Sequence, residues 1–112
     1  MQKTNQTINN ADSSAASSSA LKLLWFSAQW CGPCKQMAPS YKAIQERYGE
    51  MINIEKIDVD EMPVLAENYQ IRGVPSLLLE NASGVVDRQV GALPLKELSH
   101  WLERSIKAHT VT

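Results

Sequence analysis

The sequence predicts an α/β fold, and three features of it carry that prediction. Leu21 to Ala28 is almost unbroken apolar sequence without alternation, the pattern of a strand covered on both faces. Trp30-Cys31-Gly32-Pro33-Cys34-Lys35 follows at once and opens a helix-like pattern. A second strand pattern, Met51 to Val59, comes after that helix, and a helical crossover between two strands sets them parallel.

The bounds are simple. A chain of 112 residues makes one domain with room for a core that needs no staples. Its 44% apolar and 21% charged residues are ordinary for a globular protein. A net charge of −1 argues against nucleic acid or an anionic membrane as the main partner. No apolar run approaches the ~20 residues of a membrane span. The first residues lack the continuous apolar core of a signal peptide, so a cytoplasmic location is expected.

Residues 1–20 are rich in Ser, Asn, Gln and Thr, the composition of a flexible tail. A poor strand at Thr4 to Asn9 and a weak helix capped by Asp12 are the favoured alternative. Residues 21–108 form the domain proper, and 109–112 read as a C-terminal tail. Pro33 to Tyr48 is expected to be one helix, with Met37, Tyr41, Ile44 and Tyr48 as its apolar stripe. Pro39 removes a hydrogen bond inside it and predicts a kink, and Gly49 ends it. Pro63 opens a short helix through Tyr69. Ser76 to Glu80 and Val85 to Val90 read as a hairpin closed by Asn81-Ala82-Ser83-Gly84. Leu95, Leu98, Leu102 and Ile106 mark a final amphipathic helix, in which Trp101 fits core or surface. Asp58, Asp60 and Glu61 read first as charges decorating a strand end and favouring the next helix N-terminus, and second as a recognition cluster.

The two cysteines are the only ones in the chain and sit three positions apart. That spacing is almost one helical turn, which brings both sulfurs to one face. Cys31, in the first turn, meets unpaired backbone N–H groups and the positive end of the helix dipole, which favour thiolate over thiol. Pro33 suits a first turn, and Gly32 leaves the approach to Cys31 open. Lys35 adds little charge stabilisation through solvent. Zinc wants four ligands, and the chain offers no further Cys and only the distant His100 and His109. A loop this short makes a weak structural staple. The pair therefore reads as redox-active.

The Trp30 to Lys35 stretch resembles the active site of the thioredoxin family. Ile57-Asp58-Val59-Asp60, Ile71 to Leu79 with its Val74-Pro75, and Gly91-Ala92-Leu93 continue the resemblance, which covers residues 21 to 108. It implies a central mixed sheet with helices on both faces and a cis peptide between Val74 and Pro75 beside the cysteines. A cis Pro there would free the Val74 main chain to pair with an extended substrate. It also implies reduction of protein disulfides by Cys31 and Cys34, with Trp30, Gly32, Pro33, Lys35 and Pro75 in support. Substrate would rest on Trp30, Val74, Pro75, Gly91 and Ala92. The resemblance further implies that no cofactor is bound, that electrons come from NADPH through thioredoxin reductase, that clients are oxidised proteins and that the protein is a monomer.

The sequence departs from that pattern where the family places a proton-relaying buried Asp. Trp25 stands there, and Ser27 stands where the family has Trp. Trp25 is expected to fill space left by the smaller Ser27, and Cys34 would then lose its proton to water or substrate. Lys56, which the family pairs with that Asp, is left to Asp58, Glu55 or solvent. A specialised redox partner with few clients and a non-catalytic binding subunit of the same fold are the rival readings.

Overall fold

The computed structural model describes residues 21–110. Across them run β1 (Lys22–Ser27), α1 (Gly32–Gln36), α2 (Ala38–Tyr48), β2 (Asn53–Asp58), α3 (Pro63–Asn68), β3 (Ser76–Asn81), β4 (Gly84–Val90) and α4 (Leu95–Thr110). The strands form a mixed sheet in the order β2-β1-β3-β4. β1 pairs parallel with β2 and antiparallel with β3, and β3 pairs antiparallel with β4. The anticipated strand or helix in residues 1–20 lies outside the described residues.

Alternation along β1 separates two cores, because successive side chains of a strand point to opposite faces. Leu21, Leu23 and Trp25 pack with Met37, Ile44 and Tyr48 and with Leu98, Trp101 and Leu102. Leu24 and Phe26 pack on the other face with Ile57, Ala66 and Leu78. Helices α2 and α4 thus cover one face and α3 the other, so β1 needs apolar residues at every position, as its sequence has.

Four expectations about the elements change. The single helix of residues 33–48 is two helices, broken at Met37, whose N–H donates to the carbonyls of Pro33 and Cys34. Pro39 lies in the first turn of α2, where its missing N–H has no helical partner to lose. β2 spans Asn53–Asp58, shorter than Met51 to Val59, because the Ile52 N–H still closes the end of α2 on Tyr48. α4 continues through Thr110, which moves the start of the tail beyond His109.

Trp101 proves to be core, held at its polar edge. Its indole N–H and the Ser105 hydroxyl both donate to Asp87 Oδ2, each at 2.9 Å, tying α4 to β4. The Tyr48 hydroxyl donates to Glu103 at 2.7 Å and ties α2 to α4. Each satisfied polar group avoids the penalty of roughly 1–3 kcal/mol that an orphaned buried one carries.

Candidate active site

Cys31 and Cys34 form a disulfide at the point where β1 hands over to α1, with Cα atoms 5.2 Å apart. Cys31 is the N-cap of α1: its backbone is extended, and its sulfur accepts the Cys34 N–H at 3.1 Å. A donor aimed at Sγ in this way stabilises negative charge on Cys31 and lowers its proton affinity. Ala28, Val59 and Val74 pack around the pair. Gly32 is expected to leave the approach to Cys31 open, but the structure buries both cysteines: Cys31 is 4% exposed and Cys34 7%. Val59 and Val74 pack from other loops against the cluster of Ala28, Cys31 and Cys34, a tertiary effect that no local pattern announces.

The loop before β3 supplies the opposite wall. The Val74–Pro75 peptide is cis, and the Val74 carbonyl oxygen stands 3.5 Å from Cys31 Sγ. Pro75 is buried, and its carbonyl accepts the Gly91 N–H at 2.8 Å. Gly91 has φ +97°, a region that side-chain-bearing residues avoid, so this glycine lets the β4–α4 loop fold back beside Pro75. Ala92 follows on that loop, exposed, while Leu93 turns inward onto the main core. Ser76 fastens the loop further by donating to the Gly73 carbonyl at 2.6 Å.

Trp30 is 68% exposed, yet its indole is not free to swing. Its N–H donates to Asp60 Oδ2 at 2.8 Å. Asp60 is placed in turn by Asp58, whose Oδ1 accepts the Asp60 N–H at 2.8 Å. Sequence reasoning took these acids as strand-end decoration, with a recognition cluster as the second choice. They are a support for Trp30, and the one available signal was an exposed indole N–H near carboxylates. Trp30, Val59, Ile71, Arg72, Gly73 and Val74 enclose a shallow cleft of about 160 Å³ on this side. Gly32, Pro33 and Lys35 are exposed on α1.

The other side of the disulfide is different. The parallel register sets Trp25 opposite Lys56 and Ser27 opposite Asp58, which puts all four on one sheet face. Trp25 is buried and meets the Tyr41 ring edge-to-face at 5.0 Å. It does not fill the space beside Ser27. A groove of about 770 Å³ remains there, with Cys34 in its wall. Lys56 takes neither Glu55 nor Asp58: its ammonium lies over the Tyr41 ring, 5.3 Å from the centroid. Glu55 reaches Lys22 instead, at 3.9 Å. Tyr41 has its pKa raised by burial and then by the Glu55 charge, so it stays a neutral phenol under the lysine.

His100 and His109 are exposed on α4, and no group of metal-ligating side chains occurs among the described residues. Nor is any helix among them long and apolar enough to cross a membrane.

Comparison with known proteins agrees with this geometry. The Thioredoxin family model matches residues 2–104. A thioredoxin of Buchnera aphidicola is 37% identical over 100 residues, covering 89% of this chain and 93% of its own. One from Listeria monocytogenes is 35% identical over 99 residues, covering 88% and 96%. Among solved structures, the germline-specific thioredoxin Deadhead of Drosophila melanogaster superposes with a TM-score of 0.71 at 30% identity, covering 80% of this chain and 84% of that one. Oxidised mitochondrial thioredoxin 3 of Saccharomyces cerevisiae gives 0.69 at 27% identity, covering 76% and 78%. Matched along most of its length in sequence and in fold, the chain belongs to the thioredoxin family, whose redox-active group is the cysteine pair itself.

Proposed function

We propose a division of labour within the pair for protein-disulfide reduction, the activity of its family. Cys31 is the attacking sulfur. In the dithiol form its thiolate attacks one sulfur of a client disulfide; that bond breaks, and the client's other sulfur leaves with the electron pair. Cys34 then attacks Cys31 Sγ, the Cys31–client bond breaks, and the second client thiolate departs. Two electrons have moved to the client, and the Cys31–Cys34 disulfide is back. Thioredoxin reductase returns the electrons from NADPH, so the protein works as an electron carrier between reductase and clients.

One observation carries this assignment: the Cys34 N–H points at Cys31 Sγ from 3.1 Å, a donor that favours thiolate on Cys31. An extended client rests its main chain on Val74, whose carbonyl stands 3.5 Å from that sulfur, with Pro75, Gly91 and Ala92 alongside and Trp30 as an exposed aromatic face. Gly32 and Pro33 shape α1 between the two cysteines. Trp25 has no group that accepts a proton, so Cys34 is deprotonated by solvent or client. A cytoplasmic monomer that does not enter membranes fits a small carrier with a reducing role.

A Cys34→Ser variant tests the assignment. Mixed with an oxidised protein, it accumulates a mixed disulfide on Cys31, located by fragmentation mass spectrometry. A Cys31→Ser variant that traps the same client as readily on Cys34 would overturn the order of attack.

A further inference from the structure

Trp30 divides the surface beside Cys31 into two unlike parts. On one side lies the cleft of about 160 Å³ that it shares with Val59, Ile71, Arg72, Gly73 and Val74. On the other lies a recess that it shares with Gln29, Asp58, Asp60 and Glu61. The bond from the indole N–H to Asp60 Oδ2, at 2.8 Å, holds this partition in place. Asp60 is thus taken by the indole, and Asp58 Oδ1 accepts the Asp60 and Glu61 N–H groups. Two exposed charges remain, one on each side of Trp30. The Arg72 guanidinium and the Glu61 carboxylate make no hydrogen bond or ion pair among the described residues. The cleft also adjoins the reacting sulfur: Val74 lines it, and the Val74 carbonyl stands 3.5 Å from Cys31 Sγ. A client held on Val74 carries the residues around its cysteine past Trp30, one flank toward Arg72 and the other toward Glu61. Main-chain hydrogen bonds read no side chains, so the two free charges are left to tell one extended segment from another.

We propose that Arg72 and Glu61 are specificity-determining residues, which select client segments bearing an acidic side chain on one flank of the attacked cysteine and a basic one on the other. The client carboxylate meets the Arg72 guanidinium, whose planar fork suits two parallel hydrogen bonds. The client cation meets Glu61 across Trp30. A segment with the same charges in the opposite order sets like against like on both flanks, so the order of charges decides the rate and the net charge does not. The exchange itself is unchanged, with Cys31 attacking and the client sulfur leaving as above. The proposal rests on the reading of Cys31 as the attacking sulfur in protein-disulfide reduction, which the Cys34→Ser trap tests separately.

The experiment uses the full-length reduced protein and two end-capped peptides, each a symmetrical disulfide with a single cysteine per strand. One peptide has Glu two positions before the cysteine and Lys two positions after; the other has them exchanged. Side chains at that spacing share the cysteine's face of an extended chain. The two peptides have the same composition and net charge. Samples are quenched in acid and alkylated, and each rate of thiol release is divided by the same peptide's rate with dithiothreitol. One order should react about tenfold faster than the other, the worth of two exposed charge pairs, and high salt should erase most of the difference. Arg72→Gln and Glu61→Gln should each lower the preference to about threefold, and the double variant should abolish it. Arg72→Lys should keep most of it. Both peptides meet the same sulfur, so a general loss of activity in a variant cancels from the ratio. Equal corrected rates with the intact chain, or a preference that persists in the double variant, would overturn the proposal and leave disulfide reduction standing. Failure to reduce either peptide would overturn both.

Discussion

On the Cys31 side of the disulfide, main-chain atoms set the surface: the Val74 carbonyl, the cis peptide and the Gly91 loop bonded to Pro75. On the Cys34 side, side chains set it, and they are charged: Lys35, Lys56, Asp58 and Glu61 around the gap at Ser27. The first surface is tied down by successive hydrogen bonds and suits another polypeptide, which always brings main-chain donors and acceptors. The second is an open groove whose charges are partly held within the protein, Lys56 over the Tyr41 ring and Asp58 by the Asp60 N–H. Neighbouring sulfurs thus sit in different chemical settings, separated by the first turn of one short helix.

The comparison breaks most sharply at Cys31. Replacing it with Ser should cut client reduction by roughly a thousandfold or more, to the uncatalysed background, in an insulin-precipitation assay. Trp25 belongs to the main core, edge-to-face with Tyr41. Trp25→Asp should lower unfolding stability by about 3–5 kcal/mol in urea titrations, through the cavity and the buried carboxylate it leaves. The same variant should speed release of client from Cys31 at pH 7 in stopped-flow experiments, since a carboxylate would then stand near Cys34. An unchanged release rate would mean that solvent already takes the proton without limit.

Smaller effects sharpen the contrast. Trp30→Ala should reduce kcat/KM for a protein client by about tenfold, as loss of an exposed aromatic anchor does. Asp60→Ala, which only frees the indole, should cost about threefold, roughly one net hydrogen bond. The smallest effect lies on the opposite sheet face, where Tyr69 donates to Glu80 and its pKa is pushed up to about 12. The native state therefore keeps a proton that the unfolded chain loses above the ordinary value of 10.0. This contribution is whole below pH 10 and fades as pH rises through 12. Thermal melts should show that decline, and Tyr69→Phe should remove it with no effect on either side of the disulfide.

What was legible in the sequence divides along the same line. The Cys31 side was readable because two cysteines three apart mark the pair and because the stretches at Val74-Pro75 and Gly91 resemble the family pattern, which implied the cis peptide that the residues alone did not. The α/β alternation was readable too, since β1 needs apolar residues on both faces and has them. The Cys34 side was not. A void is a property of packing, and the substitution of Ser27 could equally have been absorbed by Trp25. The seating of Lys56 over Tyr41 joins β2 to α2, and the clasp of Asp87 on Trp101 and Ser105 joins β4 to α4. These are tertiary pairings with no periodic trace. The break at Met37 was half legible: Pro39 announced a disturbance, but a kinked helix and two helices share the same sequence signal.

The most direct test of the account is NADPH oxidation by thioredoxin reductase with insulin as a generic disulfide client, run with the intact chain and with Cys31→Ser. The account predicts sustained turnover for the intact chain and none for the variant. Absence of turnover in the intact chain, with its disulfide still open to chemical reduction, would contradict the assignment of this pair as a general protein-disulfide reductase.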